Sequence, residues 1–125
     1  MTFTWKDDLI WAGVAVEYEG VTYTIDDCLV DTGSATTAID IDCVAFNFQK
    51  PGVLTRLFGI GGGTQEVIAQ TIDGITIDSQ RIEDIDIEFG NLRSELGING
   101  FVGNDILSRF TLTIEYATQH ITLRR

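Results

Sequence analysis

One stretch of the chain combines residues that could do chemistry. It runs from Cys28 to Ile39 and reads CLVDTGSATTAI. Apolar residues lead directly into Asp31, and a glycine and small hydroxyl residues follow it. This order predicts a buried strand that ends in a tight turn, with the Asp31 carboxylate presented at the strand end. Such a carboxylate can move protons, although an aspartate at this position can also be an ordinary turn or N-cap residue.

A second stretch is almost all glycine and lies between two apolar runs. It consists of Gly59, Ile60, Gly61, Gly62 and Gly63. A dinucleotide-binding fingerprint would need a glycine at Thr64 and a helix after it, but a β-like run follows instead. A glycine-rich hairpin tip indicates a mobile lid, because glycine adopts positive φ at little cost and lets backbone approach a ligand. A plain turn is the alternative.

A third stretch, residues 100–110, lies near the end of the chain. Phe101 and Val102 form a short apolar strand, and Gly103 makes a turn. A helix of about two turns is predicted next, with Asn104 or Asp105 near its N-cap.

In this order, the three stretches resemble the retropepsin-like (retroviral-type) aspartic peptidases, and the resemblance covers roughly residues 12 to 125. In that family, Asp-Thr-Gly-Ser presents a catalytic carboxylate, a Gly-rich tip forms a flap, and an apolar pair before a glycine crosses the catalytic strand. The resemblance implies catalytic residues Asp31, Thr32, Gly33 and Ser34. It also implies a substrate-binding flap, formed by Gly59, Ile60, Gly61, Gly62 and Gly63. A supporting motif would be formed by Phe101, Val102, Gly103 and Asn104.

The resemblance gives each residue of the catalytic loop a role. Gly33 would bring its N–H to the carboxylate, and Thr32 would place its hydroxyl across a dimer axis. Ser34 would donate a hydrogen bond to the outer oxygen of Asp31 and favour the charged form, which implies an acidic optimum. Side-chain pockets would be lined by residues such as Ile60, Val102 and Leu57, although these positions could equally be core.

Together with the length of the chain, the resemblance implies a homodimer. Pepsin-like enzymes carry two Asp-Thr/Ser-Gly loops in one chain, whereas these 125 residues contain one. We therefore expect a single retropepsin-like domain over residues 1–125, and a second copy to supply the partner carboxylate. The substrate would be an extended polypeptide read as an added strand. This chemistry needs no cofactor and no metal.

Composition and charge limit the classes of partner. Acidic residues outnumber basic ones 19 to 8, and a net charge of −11 argues against nucleic acid and anionic membranes as partners. The N-terminus is acidic where a signal peptide would be apolar, and no run reaches transmembrane length, so a cytoplasmic location is expected. The spacing of Cys28 and Cys43 excludes a zinc ribbon and favours two buried thiols, with a disulfide left open.

The periodicity of the chain predicts an all-β fold with one short C-terminal helix. The resemblance implies that this fold is a single-lobe retropepsin-like acid protease barrel. Strand 36–44 is expected to follow the catalytic loop, with Asp40 and Asp42 on its solvent side. Residues 91–99 read as a loop. The predicted hairpins and strands are 12–18 with 21–30, 53–60 with 64–72, 74–78, 84–89, and 111–116 with 120–123.

Two functions from different classes are compatible with these features. The first is a homodimeric aspartic endopeptidase. The alternative is a non-catalytic peptide-binding or dimerisation module that keeps the same fold, and a weaker third possibility is a small acidic β-barrel with a ligand-binding role. Retroviral enzymes form their dimer largely by interleaving N- and C-terminal strands, but here a whole hairpin follows the predicted helix, so the dimer interface is left open. Two acidic copies also repel each other.

Overall fold

The computed structural model describes residues 1–58 and 64–125. Within them the chain is mostly β, with α1 at Leu92–Leu96, α2 at Asn104–Leu107 and a 3-10 turn at Ile41–Cys43. The strands are β1 Thr4–Lys6, β2 Leu9–Tyr18, β3 Val21–Val30, β4 Ala38–Asp40, β5 Val53–Phe58, β6 Thr64–Ile77, β7 Gln80–Gly90, β8 Gly100–Val102, β9 Thr111–Glu115 and β10 His120–Arg124.

Eight of the described strands form one mixed sheet in the order β1-β2-β3-β8-β4-β7-β6-β5. An additional antiparallel pairing between β2 and β6 nearly closes this sheet into a ring. The pairs β3–β8 and β4–β7 are parallel, and the other pairs are antiparallel. The predicted all-β barrel is thus confirmed.

The hairpins form where the alternating pattern predicts them. Val14, Val16 and Tyr18 of β2 are buried, and the chain turns into β3 at Glu19 and Gly20, which both adopt positive φ. The last two strands pair as β9–β10, which confirms the predicted C-terminal hairpin. Residues 64–72 and 74–78 instead form one continuous strand, β6, because both halves pair with β7.

Apolar side chains pack in two groups. The large core fills the ring and includes Val16, Ile39, Ile87 and Phe89. A smaller cluster contains Ala38, Leu92 and Phe101, with Leu29, Leu57 and Ile98 packed against it. Alternate residues of a strand face opposite sides. Neighbouring residues of β3, β4 and β8 therefore belong in turn to the large core and to the smaller cluster.

The region after the loop that carries Asp31 (residues 31–37) differs from the prediction. The strand covers only Ala38–Asp40, and Asp40 is buried rather than solvent-facing. Its carboxylate accepts hydrogen bonds from the N–H groups of Asp42 (3.1 Å) and Arg93 (2.9 Å). Asp40 therefore caps the 3-10 turn and the start of α1, two helical ends that leave unpaired N–H groups.

Residues 91–99 are also more ordered than predicted, since they contain α1. Leu92 is fully buried in the smaller cluster, and Gly97 ends the helix in the left-handed conformation with φ +69°. Asn91 makes no side-chain cap, so the usual sequence signal for a helix start is missing here. The Asp40 cap and the burial of Leu92 replace it.

The two ends of the chain lie together. Ile121 N–H donates to the carbonyl of Met1 (2.8 Å), and Phe3 N–H donates to the carbonyl of Gln119 (3.0 Å), which adds residues 1–3 to β10. Asp78, in the turn between β6 and β7, accepts bonds from the Met1 ammonium (3.0 Å) and Leu123 N–H (2.8 Å).

The two cysteines are free thiols. Burial, together with nearby Cys43 and Asp27, raises the pKa of Cys28 to about 12. Burial also raises the pKa of Cys43, although the Arg93 guanidinium opposes this shift. Both thiols are thus poor nucleophiles in the folded protein.

Of the helices that the structure describes, none is long and apolar enough to span a membrane.

Candidate active site

Asp31 stands one residue beyond the parallel pair of β3 and β8. In that pair Leu29 lies opposite Phe101, and Val30 lies opposite Val102. The N–H of Asp31 donates to the carbonyl of Val102 at 2.9 Å, so the ladder continues into the aspartate. The main chain of Asp31 is thereby fixed to the barrel, and its side chain leaves the sheet at a defined point.

A tight turn then holds the carboxylate. Gly33 N–H donates to Asp31 Oδ1 at 2.9 Å, the contact expected of this glycine, and Ser34 N–H donates to the Asp31 carbonyl at 3.2 Å. Asp31 is half-buried, whereas Thr32 and Gly33 are exposed. Asp31 Oδ2 has no hydrogen-bond partner within residues 1–58 and 64–125. One carboxylate oxygen is therefore oriented by the loop while the other stays available.

Ser34 makes a different bond from the expected one. Its hydroxyl donates to the carbonyl of Thr36 (2.8 Å) and accepts from the N–H of Thr36 (3.3 Å). The hydroxyl is thus used within the loop and does not reach Asp31. In a single copy, this serine braces the turn through its two bonds to Thr36.

Thr37 and Asp105 support the loop from behind. Thr37 is fully buried; its hydroxyl donates to Asp105 Oδ1 (2.7 Å) and its N–H donates to Asp105 Oδ2 (3.0 Å). The same hydroxyl accepts a hydrogen bond from Gly103 N–H (3.0 Å). Thr37 thus joins the Asp31 loop to the start of α2 through hydrogen bonds of its N–H and its hydroxyl.

Asn104 adds contacts between the same two segments. Its side-chain amide donates to the carbonyl of Thr32 (2.7 Å), and its N–H donates to the carbonyl of Ser34 (2.8 Å). The next N–H, of Asp105, donates to the carbonyl of Ala35 (3.2 Å). The structure thus ties Asn104 to the loop that carries Asp31.

Gly103 lies where the two segments come closest. A Cβ at this position would lie 2.1 Å from the carbonyl oxygen of Thr36 and 2.8 Å from that of Ser34. Both neighbours are backbone atoms, so only glycine fits. Gly103 is also the N-cap of α2, a place that the sequence pattern assigns to Asn104 or Asp105.

An apolar surface adjoins Asp31. Leu29 and Phe101 belong to the smaller cluster, and the alternation along β3 places Asp31 on the same face as Leu29. Val102 points the other way, into the large core, and is fully buried. Of the two roles left open for Val102, pocket or core, the structure thus shows the core role. Leu29 and Phe101 are the apolar residues on the side of Asp31.

The predicted flap residues, Gly59, Ile60, Gly61, Gly62 and Gly63, lie outside the described residues. The strands on either side of them are described and pair as predicted, from Val53 opposite Ala69 to Phe58 opposite Thr64. Leu57 of this hairpin packs against the smaller cluster. The hairpin thus reaches the apolar surface next to Asp31.

Three residues of the site carry weak sequence signals. Thr37 stands in a run of small residues, Asp105 follows Gly103 by two positions, and Leu29 is one of several apolar residues before Asp31. Their roles depend on contacts between segments far apart in the chain. In the described part of the chain, no three His, Cys, Asp or Glu side chains cluster as potential metal ligands.

No protein-family model matches the sequence, and no curated protein matches it either. Among solved structures, the fold is similar to a retropepsin-like aspartic protease from Rickettsia conorii, with a TM-score of 0.60 and 18% sequence identity. The match covers 92% of this chain and 84% of the other. At this identity the likeness concerns the fold, which is retropepsin-like, as the sequence motifs predict.

Proposed function

We propose that this chain, which has the retropepsin-like fold, is a homodimeric aspartic endopeptidase whose single peptidase domain spans residues 1–125. One observation carries the proposal. The Asp31 carboxylate is held on an exposed turn by Gly33, and the main chain behind it is fixed by β8 and α2. A turn aspartate without a chemical role would not need that second layer of support.

Catalysis would require Asp31 from two copies. Two carboxylates within hydrogen-bond reach do not both ionise easily, so the pair shares one proton and titrates as a unit. The ionised Asp31 would take a proton from a bound water as the water attacks the carbonyl carbon of the peptide. The protonated Asp31 of the other copy would donate to the carbonyl oxygen. Collapse of the tetrahedral intermediate, with proton transfer to the nitrogen, would release the two products.

The exposed part of the catalytic loop would meet its counterpart in the second copy. Thr32 is exposed, and its hydroxyl has no hydrogen-bond partner within the described ranges, which suits the proposed contact across the dimer axis. Residues 59–63, between β5 and β6, would offer backbone hydrogen bonds to the extended peptide.

Residues 1–3 already pair with β10 in the same chain. An exchange of terminal strands, as in retroviral enzymes, would have to break these hydrogen bonds. The outer edges of β1, β5 and β9 lack a partner strand among the described residues and offer other seams. A charge of −11 per copy predicts that the dimer tightens as salt is added or as carboxylates protonate.

The test is cleavage of a mixed peptide library between about pH 3 and 7, the range in which carboxylate pairs titrate. Wild type and Asp31→Asn are compared at several protein concentrations, with and without a pepstatin-type transition-state mimic. We expect cleavage that rises faster than linearly with concentration, is blocked by the mimic and is lost in Asp31→Asn. Asp42→Asn is the matched control, because it removes one carboxylate from an exposed position and should leave cleavage unchanged.

Folding must be checked by circular dichroism at each pH, because Asp78 makes the terminal contacts sensitive to acid. Burial alone would raise the pKa of Asp78, but the hydrogen bonds from Leu123 and the Met1 ammonium outweigh it, and the pKa lies below its ordinary value. A lowered pKa stabilises the fold above the unfolded-state pKa, and this stabilisation is lost as the pH falls through the folded-state value.

A dimer that cleaves no peptide at any pH at which it remains folded would contradict the peptidase proposal and favour the peptide-binding module.

A further inference from the structure

Gln65 carries an unsatisfied polar group. The residue as a whole is half-buried, but its side-chain nitrogen and oxygen are both buried. Within residues 1–58 and 64–125 neither atom has a hydrogen-bond partner, and they are the only buried side-chain polar atoms of these ranges in this state. A carboxamide offers two donors and an acceptor, and native proteins rarely leave such a group unpaired without a reason.

The position of Gln65 indicates what the amide faces. Gln65 lies opposite Leu57 in the β5–β6 pair, so the two side chains share a face of the hairpin. Leu57 packs on the smaller cluster, which includes Phe101 and Leu29. Since Leu29 shares its face of β3 with Asp31, the inner face of the hairpin lies over the apolar surface that leads to the candidate catalytic carboxylate.

The neighbours of Gln65 make its polarity unusual. Val67 is next on the same face of β6 and is only 1% exposed, and Leu57 across the pair is also apolar. Packing alone would favour an aliphatic residue at position 65, because an unpaired amide loses its hydrogen bonds to water on burial. A partner that arrives with the substrate would restore them.

Resting on the proposed peptidase function, we propose that Gln65 is a specificity-determining residue whose amide binds an uncharged hydrogen-bonding side chain of the peptide. A carboxamide or hydroxyl side chain lying against Leu29, Leu57 and Phe101 would satisfy the amide. An aliphatic side chain would leave it unpaired, and a charged side chain would be buried without a counter-charge. The substrate class is therefore an extended peptide with Asn, Gln, Ser or Thr in this pocket.

Peptide binding to the Asp31→Asn protein tests this selection without cleavage. The probes are extended peptides that differ only by Gln or Met, two side chains of similar length, placed in turn at each position around the centre. Dissociation constants are measured by fluorescence anisotropy. At one position we expect the Gln peptide to bind about tenfold more tightly than the Met peptide, the scale set by one buried hydrogen bond to an uncharged group.

Gln65→Met, made in the same background, should abolish that preference and leave the preferences at all other positions unchanged. It should also raise the midpoint of thermal unfolding, because an unpaired amide is replaced by an apolar side chain in the free protein. Gln49→Met is the matched control, since it makes the same change on an exposed loop and should change neither quantity.

Three results would overturn the inference. Equal weakening of the Gln and Met peptides by Gln65→Met would mean that the amide binds the peptide main chain. A lower unfolding midpoint would mean that the amide has a partner within the protein. If no peptide binds a protein that is shown to be dimeric, the proposed peptide pocket does not exist. If the Asp31→Asn protein shows the Gln preference but the wild-type protein cleaves no peptide, only the peptidase function is contradicted.

Discussion

Two segments form walls next to Asp31, the Asp31 loop and the β5–β6 hairpin, and they are held in place in different ways. The Asp31 loop, residues 31–37, is tied to β8 and α2 by hydrogen bonds from Asp31, Gly103, Asn104 and Asp105. The β5–β6 hairpin ends in an edge strand and exposes Val53 (66%) and Leu54 (65%). One wall is braced by long-range hydrogen bonds, and the other is held mainly by its own ladder.

Polar groups show the same contrast. Behind the loop, the Thr37 hydroxyl and both Asp105 oxygens are paired. On the hairpin, the Gln65 amide is buried without a partner among the described residues, and the Arg56–Glu66 ion pair spans 4.0 Å between exposed side chains. An exposed pair at that distance contributes little stability.

This difference matches the two tasks that the walls would have. A group that moves protons must be preorganised, because small misplacements of a catalytic group cost large factors in rate. A wall that receives a variable peptide gains from adaptable contacts and from groups that the peptide itself satisfies. The braced wall would set the chemistry, and the hairpin would set the selectivity.

The largest effect should come from Gly103→Ala. The new methyl group would overlap the carbonyl oxygen of Thr36, and the braced wall leaves that backbone no room to move. We expect a loss of about 3 kcal/mol or more in the free energy of unfolding, together with loss of the proposed dimer and of the proposed peptidase activity. Urea denaturation followed by circular dichroism measures the stability.

Gly13→Ala is the control for this prediction. A Cβ there would make only ordinary contacts, at 3.7 Å from Asp26 Oδ1 and the carbonyl of Ile25. Its effect should stay within about 1 kcal/mol. If Gly103→Ala were equally mild, the loop would be able to shift away from α2, and the contrast between the two walls would fail.

A middle-sized effect is expected for Thr37→Val, which keeps the shape of the side chain and removes its hydroxyl. The change deletes the bond to Asp105 and leaves the N–H of Gly103 buried without its acceptor. We expect a loss of about 2 kcal/mol in stability. If the clamp positions Asp31, then kcat should fall more than KM rises in the peptide cleavage assay.

Thr113→Val makes the same change on the exposed side of β9 and should leave both stability and kcat near wild type. A Thr37→Val protein that loses stability but keeps kcat would show that the clamp serves folding alone.

Local patterns in the sequence are sufficient to predict the front of the site. The order of apolar, acidic, glycine and hydroxyl residues predicts the turn at Asp31, and two-residue alternation predicts the hairpins. The Gly33 contact is implied by the resemblance to a family that shares this short motif. These features depend on neighbours in sequence. Their physical causes, turn geometry and one-sided burial, act over a few residues.

The supports behind the site depend on distant partners and could not be predicted in this way. Asp40 reads as a solvent-facing residue of an alternating strand until Arg93 and Asp42 are seen to donate to it. Glu88 alternates with apolar residues of β7 and yet is only 6% exposed, because Ala38 and Ala69 flank it on adjacent strands. Burial of a polar residue reflects the strands beside it, and a single sequence does not specify that neighbourhood.

The smallest effect is expected within the hairpin, for Val53→Thr. Val53 is exposed on the edge strand, so replacing one methyl by a hydroxyl should change the free energy of unfolding by less than about 0.5 kcal/mol. Val67→Thr makes the same change at a buried position of the partner strand, where a hydroxyl without a partner should cost about 1 to 3 kcal/mol. Chemical denaturation measures the free energy of unfolding of both variants. The comparison shows which side of the hairpin is tightly packed and which side is adaptable. Equal losses at the two positions would mean that the whole hairpin is as firmly packed as the Asp31 loop, and the adaptable wall would have to lie elsewhere.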